Sequence, residues 1–337
     1  LAMILVLGGC AGGGSPTLEP QQATPQATAT SVAQTPVPTI NATPPAADDG
    51  RIAFGVRAGS GSNIFSMFPD GTDMRQITTD SGNHLCASYS ADASQIAYCG
   101  DGSGEFEIWT IDADGTAPTQ VTHLDGRALF PDASHDGTKI AFGFPDEDQS
   151  TQVHVVDAAT GRDLVALTSC EGMSPGCSND YPAWSPDDQQ IVYIHADDYV
   201  NEVAINAQVW IMNADGSNQH PLTSDGPTKD QVPNWSPDGT SIAYASGKVG
   251  DEGIWIMKSD GSDPLQLSGC QAADESPCPD GSDFGPVWSP DGTRIAFLRS
   301  FQDVGTNDRP VYVMNADGSD QHRVTEEVIL AAVPSWR

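Results

Sequence analysis

A chain of 337 residues with 46 acidic and 14 basic side chains, a formal net charge of −32, cannot neutralise a phosphate backbone, so nucleic acid is excluded as a partner. The same charge repels anionic membrane surfaces and leaves a lipid as the one plausible membrane contact. The acidity fits a salty medium, divalent cations or a basic partner, and equally the solubility of an exported protein. The length accommodates a single domain of roughly 290 residues behind a short leader.

Residues 1–9 are apolar or small and run into Cys10. This pattern resembles a bacterial lipoprotein signal, with Leu7-Gly8-Gly9-Cys10 as the lipobox and Cys10 as the diacylated residue. The run is too short to span a bilayer. It also lacks a basic leading segment, so the sequence begins either inside the signal or at an unusual start codon; the competing reading is a chance apolar terminus with a buried cysteine. Acylation adds about 0.8 kcal/mol of membrane affinity per buried methylene. From Ala11 to Ala47, Thr, Pro, Ala, Gln and Gly dominate, a composition with too little apolar surface to offset chain entropy. Residues 10–47 therefore read as a lipid-anchor cysteine and a disordered tether, which as extended polyproline II reaches on the order of 100 Å.

From Asp48 to Arg337 the chain repeats itself. Six short apolar runs recur: Ile52-Ala53-Phe54, Ile96-Ala97-Tyr98, Ile140-Ala141-Phe142, Ile191-Val192-Tyr193, Ile242-Ala243-Tyr244 and Ile295-Ala296-Phe297. Their spacing, roughly 44 to 53 residues, is near the period of propeller blades. Ahead of three of them stands Trp-Ser-Pro-Asp, at 184–187, 235–238 and 288–291, with degenerate copies at 89–92 and 133–136. Behind each lies a second β-rich stretch, such as Ile108–Ile111, Val209–Met212 or Val311–Met314, then an Asp-Gly turn and a last short strand such as Gln120-Val121-Thr122. Branched and aromatic residues fill the strands, and turn formers separate them. No stretch shows a sustained helical period.

The expected fold is all-β, a six-bladed propeller of four-stranded antiparallel blades. Its ends close it. Asp48–Ile52 matches the tail of the Ser289–Ile295 segment without the leading strand, and Val333-Pro334-Ser335-Trp336 supplies that strand. The C-terminal strand thus completes the first blade and removes two free sheet edges.

The composite pattern, Pro-x-Trp-Ser-Pro-Asp-Gly-x-x-Ile-Ala-Phe followed by Met-Asn-Ala-Asp-Gly-Ser and Leu-Thr, resembles the TolB-type (WD40-like) propeller repeat over residues 48–337. The resemblance implies an envelope role in a Tol–Pal system. That family carries an α/β domain ahead of its propeller, and residues 1–47 show no such domain, which sets this chain apart.

Setting Cys10 aside leaves six cysteines in three local pairs: Cys86–Cys99 across a hairpin, and Cys170–Cys177 and Cys270–Cys278 between successive blades. Disulfides at all three imply an oxidising compartment. The alternative, zinc, is disfavoured because no pair has the two-residue cysteine spacing or clustered histidines that zinc takes. The two Cys-bounded insertions either stiffen a binding surface or protect long loops from proteases.

Several chemical motifs dissolve on inspection. Gly172-Met173-Ser174-Pro175-Gly176 has the spacing of a hydrolase nucleophile elbow but no following helix. The Asp-x-Asp-Gly stretches, such as Asp112–Gly115, read better as tight turns than as calcium loops lacking the twelfth-position Glu. The tryptophans recur at fixed strand positions, as packing between sheets requires. The histidines neither cluster nor recur at one shared register.

One constellation remains. Asp180, Asp230 and Asp283 each precede a first strand, with His84 and Arg127 at nearby registers. If first strands are innermost, these five residues form a candidate binding rim at one channel mouth. The three carboxylates either converge on a divalent cation such as calcium or a basic side chain, or stand as independent turn carboxylates. The sequence therefore reads as a monomeric, lipid-anchored, extracytoplasmic propeller. Its expected role is non-catalytic binding of an envelope protein, peptide or glycan, without a cofactor. The alternative is a cation-dependent hydrolase or lyase working in the central channel.

Overall fold

A computed structural model describes residues 50–58, 61–146, 150–171, 173, 176–200, 203–224, 229–247, 252–269, 281–300, 309–325 and 333–337. The strands run β1 (Ile52–Ala58), β2 (Gly61–Met67), β3 (Arg75–Gln76), β4 (His84–Tyr89), β5 (Gln95–Gly100), β6 (Glu107–Asp112), β7 (Thr119–Gln120), β8 (Leu129–Ala133), β9 (Lys139–Pro145) and β10 (Thr151–Asp157). They continue as β11 (Val165–Ala166), β12 (Ser178–Trp184), β13 (Gln190–Ala196), β14 (Asp198–Val200), β15 (Val203–Ile205), β16 (Gln208–Asn213), β17 (His220–Pro221) and β18 (Gln231–Trp235). The last are β19 (Ser241–Ser246), β20 (Gly253–Lys258), β21 (Leu265–Gln266), β22 (Ser282–Trp288), β23 (Arg294–Ser300), β24 (Val311–Asn315), β25 (His322–Arg323) and β26 (Ser335–Trp336).

They form six four-stranded antiparallel sheets, and no helix occurs among the described residues. The first blade has the order β26-β1-β2-β3, so the C-terminal strand closes the ring as the repeat register requires. Trp336 pairs with Ile52 and Ser335 with Ala53, the register of Trp184 on Ile191, Trp235 on Ile242 and Trp288 on Ile295. The β14–β15 hairpin, inserted between the second and third strands of blade 4, was not legible in the sequence.

Each blade is covered on both faces, which explains its unbroken apolar second strand. Successive side chains point to opposite faces, so Ile52 and Phe54 pack toward blade 6 while Ala53 packs toward blade 2. All three are fully buried. The described core comprises six clusters, one at each interface between neighbouring blades. Ala53, Ala141 and Ala243 each share a cluster with large residues of the following blade's second strand, a small-to-large fit that close packing favours. Trp184, Trp235, Trp288 and Trp336 join the cluster shared with the preceding blade, confirming the packing role read from their spacing.

The terminal Leu-Thr of the repeat also has a physical task. Thr78, Thr122, Thr168, Thr223, Ser268 and Thr325 each turn a hydroxyl oxygen onto a third-strand N–H, at 2.8 to 3.1 Å. This extends a two-residue outer strand by one contact and keeps a buried donor satisfied.

Candidate functional site

The meander order puts first and third connections at one end of every blade and all others at the opposite end. At the turn end the first connection is always five residues, at 90–94, 134–138, 185–189, 236–240 and 289–293. In each, the Ser hydroxyl donates to the Asp two residues on, at 2.6 to 2.8 Å. Hydrogen bonds hold these carboxyls low, that of Asp92 at about 2. At the other end the connections range from two residues (59–60) to fifteen (267–281). That end carries the Cys170–Cys177 disulfide and one of the two mouths of the central channel.

The channel is lined by the inner strands. Its cavity, of about 70 Å³, is bounded by matching segments of all six blades, among them Ser88, Asp132, Tyr181, Val232, Val287 and Ser335. Five inner strands share a local distortion. Their ladders shift register between Leu85 and Ser88, Leu129 and Asp132, Asp180 and Ala183, Gln231 and Asn234, and Phe284 and Val287. At each bulge one residue has a left-handed backbone: Cys86 (φ 57), Phe130 (φ 54), Tyr181 (φ 53), Val232 (φ 49) and Gly285 (φ 61). For a β-branched residue such as Val232 this conformation is a true outlier. Such strain costs about 1–3 kcal/mol per residue and persists only where the surroundings over-determine it. Four of these residues precede proline (Pro131, Pro182, Pro233, Pro286), which offers no N–H and so suits the innermost edge.

The residue between that proline position and the aromatic accepts a backbone N–H from the next blade, but only at alternate interfaces. Ser335 of blade 1 accepts the Tyr89 N–H at 3.0 Å, Asp132 of blade 3 the Trp184 N–H at 2.8 Å, and Asn234 of blade 5 the Trp288 N–H at 3.2 Å. In blades 2, 4 and 6 the position holds Ser88, Ala183 and Val287; Ser88 donates instead to Asp132 at 2.9 Å. Burial raises the Asp132 carboxyl above its usual range, with the Trp184 and Ser88 bonds partly offsetting it.

The expected rim comes apart as a set. His84 is buried, its Nε2 lying 2.8 Å from Asp80 and its ring edge-on to Tyr98. Arg127 lies over the Phe106 ring at 5.1 Å. Asp283 is fully buried and held by both Nε and Nη2 of Arg299, at 2.6 and 2.7 Å. Asp230 is buried and raised by desolvation, which bonds from Ser246 and Thr223 partly offset. Asp180 accepts the Tyr181 N–H at 2.8 Å. It lies so close to Gly143 of blade 3 that a Cβ there would meet its Oδ1 at 2.1 Å. Burial pushes its carboxyl up to about 7. None of the three lines the channel cavity. No group of three His, Cys, Asp or Glu among the described residues is placed to hold a metal ion. The expectation of converging carboxylates is therefore corrected: each is spent on its own blade or the preceding one.

A second correction concerns Cys86 and Cys99, which are buried and unbridged. The bulge is the reason. Leu85, not Cys86, pairs with Cys99, and the left-handed backbone turns Cys86 off the ladder. Burial, and secondarily the hydrogen bond with Cys86, pushes the Cys99 thiol well above its usual range. Cys10, Cys270 and Cys278 lie outside the described residues, as do Gly172, Ser174 and Pro175 of the nucleophile-like stretch.

Residues 24–205 match the TolB beta propeller domain, more than half of the chain. This chain belongs to the TolB β-propeller family. Among curated relatives, the Tol-Pal system protein TolB of Anaeromyxobacter dehalogenans is 32% identical over 122 residues, covering 36% of this chain and 25% of the relative. This TolB-type propeller thus spans about a quarter of that protein's length. Among solved structures, TolB from Acinetobacter baumannii superposes with a TM-score of 0.67 at 19% identity, covering 87% of this chain and 67% of its own. An oligogalacturonate lyase from Vibrio parahaemolyticus superposes with a TM-score of 0.54 at 17% identity, covering 82% and 75%. At such identities these likenesses establish the TolB-type fold and leave function to the site.

Proposed function

We propose that this TolB-type propeller is a non-catalytic binding module of the bacterial cell envelope, engaging a protein partner through the face that bears the channel mouth. The observation that carries the reading is the inequality of the two faces. One end is built from uniform self-bonded turns, whereas the other gathers the variable connections, the Cys170–Cys177 loop and the strained inner-strand segments. Binding residues concentrate on variable loops held by a rigid scaffold. The similarity to a Tol-Pal system protein supports an envelope partner. The lipobox-like start supports residues 1–9 as a signal, Cys10 as a lipid anchor, residues 10–47 as a tether and an extracytoplasmic location for the propeller of residues 48–337, which we take to be monomeric.

Photo-crosslinking in cells tests the reading. A crosslinker at exposed Met173, on the disulfide loop, should capture one defined protein, and a crosslinker at exposed Leu164, on the turn face, should not. Equal capture from both faces would end the assignment. Globomycin treatment should cause an unprocessed precursor to accumulate, and its absence would remove the anchor.

A further inference from the structure

The turn end departs from its own pattern in one sector, where three unusual residues meet. Arg337 follows Trp336 at the position where every other blade has Ser. His135 stands where blades 4, 5 and 6 have Pro186, Pro237 and Pro290, and Asp188 stands where blades 5 and 6 have Gly239 and Gly292. In the regular pattern the proline lies against the next blade's glycine: a Cβ on Gly239 would meet Pro186 at 3.8 Å, and one on Gly292 would meet Pro237 at 3.3 Å. His135, unlike proline, brings an N–H, and Asp188 brings the acceptor. The Asp188 carboxylate takes the His135 N–H at 2.7 Å and the Asp136 N–H at 2.8 Å. It does so from a left-handed backbone (φ 57) that suits glycine better.

Arg337 completes the cluster from blade 1. Its Nη2 donates to His135 Nε2 of blade 3 at 3.1 Å. Blade 2 lies between them in the ring, so the side chain passes over its inner edge, where Ala91 is the smallest residue at the proline position. First strands line the channel, and Ser335 and Asp132 bound its cavity, so the bridge crosses the turn-end mouth. The bridge also sets the state of the histidine. A guanidinium has no acceptor, so Nε2 must present its lone pair, and the ring is neutral with its proton on Nδ1. Nδ1 lies 3.5 Å from Asp188 Oδ1 and makes no hydrogen bond to any described residue. The His135 side chain is 23% exposed, so protons from solvent reach it. The other carboxylates around the ring are Asp132, Asp136 and Asp187. Asp132 accepts from Trp184 and Ser88, Asp136 from Ser134 and Thr138, and Asp187 from Ser185 and Gln189. On blade 2, Asp92 is held by Ser90 and Ser94.

We propose that His135 is a proton-operated clasp: neutral, it ties Arg337 of blade 1 to blade 3 across the turn-end mouth; protonated, it turns to Asp188 and lets Arg337 go. A proton from solvent occupies the Nε2 lone pair. Nε2–H and Nη2–H then face each other as two donors on two cations, and the bond is lost. The same proton places a full charge behind Nδ1–H, opposite Asp188, and draws the pair into a charge-assisted hydrogen bond. Histidine is the side chain suited to this exchange between about pH 5 and 8. Release reaches the ring closure, because β26 pairs with β1 only through Ser335 and Trp336. The Arg337 N–H extends that pairing by donating to the Arg51 carbonyl at 3.1 Å. The clasp belongs to the turn end and is independent of the partner-binding face.

The test is nuclear magnetic resonance on the full chain with isotope-labelled arginine and histidine, at about pH 8 and about pH 5. At the higher pH the His135 nitrogens should show the Nδ1–H tautomer, and the Arg337 Nη signals should stand apart from those of a free guanidinium. At the lower pH both ring nitrogens should carry protons, and the Arg337 signals should merge with the free position. The protection of the Arg337 amide against hydrogen exchange, corrected for the intrinsic rate, should fall about five- to tenfold over the same interval, the worth of about one hydrogen bond. His135→Gln keeps an acceptor oxygen but cannot charge, so both readouts should become independent of pH. Arg337→Gln probes the clasp from the other side: His135 should take its proton at a pH higher by roughly half a unit or more, since linkage is reciprocal. Arg337 signals that are alike at both pH values, a pH response that survives His135→Gln, or a proton on Nε2 at the higher pH would overturn the proposal. So would an Arg337→Gln chain in which His135 titrates as in the parent.

Discussion

The two ends of the propeller are built from the same strands yet obey different rules. At the turn end, five residues recur with the same Ser-to-Asp hydrogen bond in every described copy, and the blade-3 turn adds His135 and Asp136 N–H bonds to Asp188 of blade 4, at 2.7 and 2.8 Å. At the channel-mouth end, connection length varies, and Asp230 and Asp283 are buried. A turn whose recurring bond is local tolerates repetition, because Ser and Asp two residues apart carry that bond with them. A ligand-facing end needs groups whose partners come from other blades, or from outside, and such groups cannot be copied from blade to blade.

That contrast can be broken or sharpened by substitution. The largest effect belongs to ring closure, which neither end controls alone. Trp336 is fully buried, so Trp336→Ala should cost about 3–5 kcal/mol in denaturant unfolding; a small loss would mean that the closing strand is dispensable. Next comes the alternate interface latch. Asp132→Ala strands the Trp184 N–H and the Ser88 hydroxyl and should cost about 1–3 kcal/mol, whereas Asp132→Asn, the residue type that blade 5 uses at this position, should be close to neutral. Equal losses would show that charge rather than hydrogen bonding matters there.

On the turn face, Ser90→Ala, Ser185→Ala and Ser236→Ala should each cost about 0.5–1.5 kcal/mol and agree closely with one another. A wide spread would refute the independence of those turns.

The pH dependence divides the ends in a different way. Asp180 is raised to about 7 in the folded chain, against about 3.9 unfolded, so the native state binds the extra proton and stability falls as pH rises between roughly 4 and 7. The turn carboxyls have lowered values, so their contribution is present above pH 4 and is lost as pH falls toward about 2, the value at Asp92. Thermal unfolding should therefore be most favourable to the fold near pH 4–5, and Asp180→Asn should flatten the upper limb alone. An unchanged upper limb would show that Asp180 titrates normally. The smallest perturbation is chemical labelling. Under denaturant without reductant, Cys86 and Cys99 should take maleimide, and Cys170 and Cys177 only after reduction; a blocked Cys86 would contradict the unbridged pair.

The architecture was legible because it is periodic. Ile-Ala-Phe is apolar on consecutive residues since a blade is covered on both faces, and the half-repeats at 48–52 and 333–336 declare the closure between them. Cys170–Cys177 was legible for a similar reason, being local. The rim was misread because a register places a residue near the mouth without saying which way its side chain turns. Asp283 turns to Arg299, sixteen residues away in the next strand, and His84 turns inward to Asp80 and Tyr98. Cys86 and Cys99 were misread because the pairing assumed a regular hairpin, and the bulge shifts that ladder.

The sequence by itself therefore determined the repeat unit, the six-blade count and the strand that closes the ring. All three follow from patterns within one blade or from matching copies. Only the tertiary structure decided which carboxylates are spent internally and which inner-strand residues accept an N–H from the next blade. Those facts depend on contacts between blades some fifty residues apart, where desolvation and competing partners, rather than local spacing, set the outcome.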